Sequence, residues 1–175
     1  MQTEKQLFYK LTTPFALLMG GCLAIASYIC FLNTGHIFNN PVLDRTLNFL
    51  LIIGLFMRIR QYRDSDARQG YITYGKALLT GIWLSFIAGL VYSLYTIILY
   101  SSHPELITSY LNIMQDMIKQ IYGEHALNDM MAQIITTFTT PFSIGLSELF
   151  GKFIHGLIFS LIIAVFIRKQ PIKLI

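Results

Sequence analysis

Residues 77 to 100, ALLTGIWLSFIAGLVYSLYTIILY, carry no charge. As a helix this run is roughly 36 Å long, more than the ~30 Å hydrocarbon core of a bilayer. Within it a small residue recurs at every fourth position: Ala77, Gly81, Ser85, Gly89 and Ser93. Lipid tails are as apolar as leucine, so no hydrophobic force drives one helix onto another in a membrane. Small residues that let two backbones approach therefore mark a face built for close helix contact. The run predicts a packed transmembrane bundle.

Composition agrees. The chain has 175 residues, 54% hydrophobic and 13% charged, against about 25% charged in a soluble domain. That excludes a disordered chain, argues against a soluble globule, and suits one membrane domain over 1–175. Its basic residues border apolar runs and flank no nucleic-acid motif, so nucleic acid is not an expected partner. Cys22 and Cys30 would lie roughly 12 Å apart on one helix, too far for a disulfide, which needs Cα atoms within about 7 Å.

Four spans are expected, at about 14–32, 41–60, 77–100 and 145–167. The first is uncharged and continues well past Cys22, which reads as an uncleaved helix rather than a leader. It has a shorter small-residue stripe, Ala16, Gly20 and Ala24. The second is the weakest, with Asp44, Arg45, Arg58 and Arg60 at its ends. Asn40 can cap it and Pro41 suits its first turn. Charge favours its crossing: Arg58, Arg60, Arg63, Arg68 and Lys76 gather between the second and third runs. Basic loops stay in the cytoplasm. Lys5 and Lys10 precede the first span, and Arg168, Lys169 and Lys173 follow the last. Four crossings with both termini cytoplasmic satisfy all three clusters.

The segment from 101 to 144 is too long for a simple turn. Ser102 and Glu105 have capping-box spacing. Apolar residues then recur at helical spacing, predicting outer amphipathic helices at about 103–122 and 126–138.

Chemistry is sparse. In the fourth span Glu148, Lys152, Gly156, Ser160 and Ala164 follow a stride of four, so two ionisable residues continue a small-residue stripe. Charges inside a membrane are costly and raise a functional hypothesis. Glu148, Lys152 and His155 are thus the candidate polar site, expected near the outer end of the helix. A Glu148–Lys152 pair with Lys152 reaching toward the interface is the structural alternative. His36, His103 and His125 are isolated, and no HExxH, CxxC or glycine-rich phosphate loop occurs. No metal, cofactor or catalytic residue is assigned. Arg58, Arg60, Arg63, Arg68 and Lys76 are the candidate contacts to anionic lipid or a partner, since basic residues near an anionic leaflet bind it.

The same loop carries a resemblance. Arg63-Asp64, the stretch Gly70-Tyr71-Ile72-Thr73-Tyr74-Gly75-Lys76-Ala77-Leu78, then Gly81, Tyr92, Tyr95 and Pro104-Glu105 resemble a Bacteroidota membrane-protein family known as domain of unknown function 4199. The likeness covers most of the chain. It implies a small four-span inner-membrane protein and brings no catalytic residues with it.

The sequence therefore predicts an all-α integral membrane four-helix bundle with an amphipathic outer segment between spans three and four. The expected location is the bacterial inner membrane. The expected role is a non-catalytic scaffold or accessory subunit that packs on other membrane proteins, or on itself, through small-residue faces. The alternatives are a small dimeric transporter or channel, and a membrane enzyme or accessory factor acting on lipid or lipid-linked sugar.

Overall fold

Asparagine or threonine followed by proline starts two of the long helices in the computed structural model, which describes residues 4–35, 37–38, 40–66, 68–123 and 129–169. The described residues form helices α1 (Glu4–Thr34), α2 (Pro41–Arg63), α3 (Tyr74–Ser102), α4 (Glu105–Tyr122), α5 (Asp129–Phe138) and α6 (Pro141–Ile167). At α2 the Asn40 side chain accepts from the amides of Val42 and Leu43, both at 3.1 Å. At α6 Thr140 and Ser143 cap one another reciprocally. In both helices proline occupies the first turn, where its missing N–H costs nothing.

Two departures from the sequence reading have local causes. Helix α1 begins at Glu4 and runs through Pro14 instead of starting there; a membrane helix tolerates proline where neighbours can satisfy the freed backbone. Ser102 does not cap α4, because α3 is still helical through that residue. Pro104 stands at the α4 N-cap without a side-chain cap bond, and the Glu105 carboxylate instead meets His103 Nδ1 at 3.1 Å. The described part of the second outer helix is Asp129–Phe138; the expected start near 126 falls in 124–128, outside the described residues.

Helix α3 is the central packing element. It packs most extensively on α6 and next on α1, while α2 touches α1, α6 and α3. Helix α2 joins the core through one row, Leu43, Leu47, Leu51, Leu55, Ile59 and Tyr62, all buried. Outside this core the helices present large apolar residues, among them Leu18, Ile25, Phe49, Leu94, Ile98, Phe150 and Phe166. Soluble monomers rarely expose contiguous apolar surface on this scale. Helices α1, α3 and α6 are long and apolar enough to cross a bilayer. The chain is a multi-pass, all-α membrane protein.

The loop joining α2 to α3 is tightly held. Gln69 and Gly70 both take positive φ, 50° and 79°, which turns the chain back so that the Gly70 amide donates to the Arg63 carbonyl at 3.0 Å. Ile72 then exchanges two backbone hydrogen bonds with Lys169, each 3.0 Å, fastening the loop to the end of α6.

Candidate functional site

The small-residue stripes of α3 and α6 meet each other. A Cβ on Gly81 would strike the Ser160 hydroxyl and lie 2.6 Å from Ser160 Cβ. A Cβ on Gly156 would strike the Ser85 side chain. One on Gly89 would stand 3.4 Å from Lys152 Cβ. Each step of four toward the end of α3 is a step of four back toward the start of α6, so the helices run antiparallel along one seam. The same register sets Ala77 level with Ala164, and both are fully buried. Ser93 closes the far end: its hydroxyl donates to the Gly145 carbonyl at 2.6 Å. The α1 stripe meets α3 in the same way, since a Cβ on Gly20 would come within 2.8 Å of the Ala88 carbonyl oxygen. All these faces are covered within one chain.

Lys152 lies on this seam. Its Nζ is 3.6 Å from Glu148 Oε2, with the lysine side chain 8% exposed and the glutamate 35%. The ammonium also sits over the Tyr92 ring, 5.0 Å from its centroid. The Tyr92 hydroxyl continues the polar contacts to α1, donating to Ser27 Oγ at 3.3 Å. The pair is not near a helix end. Because α6 begins at Pro141, Lys152 falls roughly 16 Å from its start and 22 Å from its finish. Gly89, facing it, is equally central in α3. The helix thus begins about one turn before the expected span, and the pair stands that much further from its start.

His155 does not join Glu148 and Lys152. A seam of stride four drifts about 40° per step, whereas a step of three from Lys152 turns 300°, leaving His155 about 90° off the seam. It is exposed on the outer face of α6. There its Nδ1 donates to the Gly151 carbonyl at 2.8 Å and its ring stacks on Phe159. Ser147 and Gly151 precede it on that face at the same stride, and nothing lies within 4 Å of where a Gly151 Cβ would be.

The basic residues of the α2–α3 region divide among partners. The Arg58 guanidinium lies over the Phe15 ring at 5.2 Å and donates to Gln61 at 2.8 Å. Arg63 grips Asp64 with two bonds, of 2.7 and 3.1 Å, a fork that holds the Asp64 carboxyl below the usual carboxylate range. Arg60 reaches the same carboxylate at 3.8 Å. Arg68 donates to the Tyr62 hydroxyl and lies over its ring, and Arg68 and Lys76 line a cavity of roughly 710 Å³ together with Lys5, a residue the sequence reading had only as a flanking charge. Nothing in sequence spacing brings position 5 to position 68; the packing of α1 on α3 does.

Among the described residues no three of His, Cys, Asp and Glu gather where a metal ion could sit, and His36 and His125 lie outside the described residues. No curated protein and no solved structure matches this chain. Residues 14–169 match the model of a family described as "Protein of unknown function (DUF4199)", and the chain belongs to that family.

Proposed function

We propose that this chain is a non-catalytic accessory subunit of a bacterial inner membrane, crossing four times with both termini in the cytoplasm and packing against another membrane protein. Helix α2 supplies the fourth crossing: its 23 residues extend roughly 34 Å, with Phe49, Ile53, Phe56 and Met57 facing outward where lipid would lie.

One observation carries the accessory role. His155 stands at the middle of α6 and is exposed on the row Ser147, Gly151, His155. A polar ring at bilayer mid-depth is disfavoured in lipid. Small residues beside it make room for a crossing helix. The seam faces of α3 and α6 already cover each other, so the partner's place is this outer face.

A photo-crosslinker at Ile154 is expected to trap one defined membrane protein, a second copy or another chain, identified by mass spectrometry. Gly151→Leu and His155→Leu are each expected to reduce that product at least several-fold, with the variants still folded in the membrane. Crosslinks to lipid alone, unchanged by both substitutions, would overturn the reading.

The transporter reading is favoured by a different observation, the central position of Lys152 with Glu148. It predicts ion or solute flux in proteoliposomes that Glu148→Gln abolishes; equal flux in protein-free vesicles removes it.

A further inference from the structure

We infer that the partner on the outer face of α6 is a different membrane protein, one that brings a neutral hydrogen-bond donor, a hydroxyl or a side-chain amide, to His155. This names the partner of the accessory reading and rests on that reading. The His155 Nδ1 bonds the Gly151 carbonyl at 2.8 Å. A carbonyl only accepts, so the proton is on Nδ1. A charged ring facing lipid is costly; the neutral ring protonated at Nδ1 keeps a lone pair on Nε2. Among the described residues no donor reaches that nitrogen. The ring is also stacked on Phe159, with centroids 6.3 Å apart and planes inclined by 28°. His155 therefore presents an acceptor of fixed orientation at the middle of α6.

The surroundings set the size of the donor. Nothing lies within 4 Å of where a Gly151 Cβ would be, one turn away, and Ile154 and Ile158 flank the ring in the open. A helix crossing at Gly151 can bring its backbone close, so a side chain as short as serine, threonine or asparagine reaches Nε2. A carboxylate or a bare carbonyl meets it as a second acceptor and gains nothing.

The same chemistry disfavours a second copy. Membrane pairs close about a two-fold axis, which sets the same patch on both chains against itself. His155 would then face His155, two lone pairs with no proton between them. The nearest hydroxyl on the row is Ser147, roughly 12 Å away along the helix, and it already donates to the Ile144 carbonyl at 2.7 Å.

The test uses full-length protein carrying a photo-crosslinker at Ile154, co-expressed in two differently tagged forms in native membranes. The expected product bears one tag and one other membrane protein. His155→Gln, which keeps an acceptor, is expected to hold the parental yield. His155→Phe, which keeps an aromatic ring for Phe159 and removes the acceptor, is expected to lower it about fivefold. Replacing the partner's donor at the crosslinked level by alanine should lower the parental yield equally and leave the His155→Phe yield where it is. In purified protein in micelles, the imidazole nitrogen NMR spectrum, assigned by the signals lost in His155→Gln, should show the proton on Nδ1 alone. A product bearing both tags overturns the different partner and leaves the interface standing. Equal yields for His155→Phe and the parent, His155→Gln as weak as His155→Phe, or a proton on Nε2 overturns the donor. Crosslinks to lipid alone remove the interface, and the accessory reading falls with it.

Discussion

Gly156→Leu is expected to prevent the α3–α6 seam from closing. A Cβ at position 156 would overlap the Ser85 hydroxymethyl group and stand in ordinary contact with Ser85 Cα at 3.6 Å, so the further atoms of a leucine could be accommodated only by moving one helix off the other. Overpacking a tight core typically costs about 1–3 kcal/mol. Here the added Cβ overlaps the Ser85 side chain and the rest of the leucine has no space left in the seam, so a loss of about 3 kcal/mol is expected, read as a collapsed thermal transition or loss of folded protein in detergent. Gly151→Leu, on the same helix but facing open space, is the control and should leave Tm unchanged. Gly156→Ala tests the contact more finely: alone it should destabilise, and combined with Ser85→Gly, which removes the colliding side chain, it should recover. Equal stability of Gly156→Leu and Gly151→Leu would refute the seam.

The seam shows how much of this fold the sequence disclosed. Apolar run length located α1, α3 and α6, and charge distribution argued for α2. Two further signals were present and unread. Leu43, Leu47, Leu51, Leu55 and Ile59 form a stride of four inside the least hydropathic helix, and all are buried; a core row of that regularity assigns α2 a packed face independently of its charges. The α3 and α6 stripes share a stride of four, and reversed against one another they match at Gly81 with Ser160, Ser85 with Gly156 and Gly89 with Lys152, an antiparallel pairing that the stride itself permits. Each stripe read alone left open whether it met a partner protein or its own neighbour, because stride encodes a face and not what covers it.

The site residues divide along the same physical line. The Glu148–Lys152 pairing follows from helical spacing alone. The displacement of His155 follows from the crossing geometry, since a seam that drifts with each step carries a neighbour at i+3 onto another face. Lys5 was beyond reach, because it meets Arg68 and Lys76 only through tertiary packing, and local periodicity contains no information about that. The depth of Lys152 depended on the helix start. Proline at position 141 with a capping threonine before it places that start ahead of the expected span at 145, and so places the lysine near mid-length.

That depth makes Lys152 the second large expected effect. Its ammonium has only Glu148 and the Tyr92 ring as described partners. An ammonium surrounded by low-dielectric matter costs several kcal/mol unless compensated. Glu148→Gln removes the compensating charge and leaves the cation, whereas Lys152→Met removes the cation and keeps most of the side-chain volume. The first should therefore be the more damaging, although the pair's arithmetic looks symmetric on paper. Breaking a fully enclosed pair costs about 3–5 kcal/mol; Glu148 retains about a third of its exposure, so about 2 kcal/mol is expected for Glu148→Gln and about 1 kcal/mol for Lys152→Met. The double variant should be more stable than Glu148→Gln alone, because no charge is left buried. Unfolding in mixed micelles measures all four corners of the cycle. Additive losses would mean that the two groups do not sense each other. Glu148→Gln as stable as the parent would mean that the carboxylate is not what holds Lys152 in the seam.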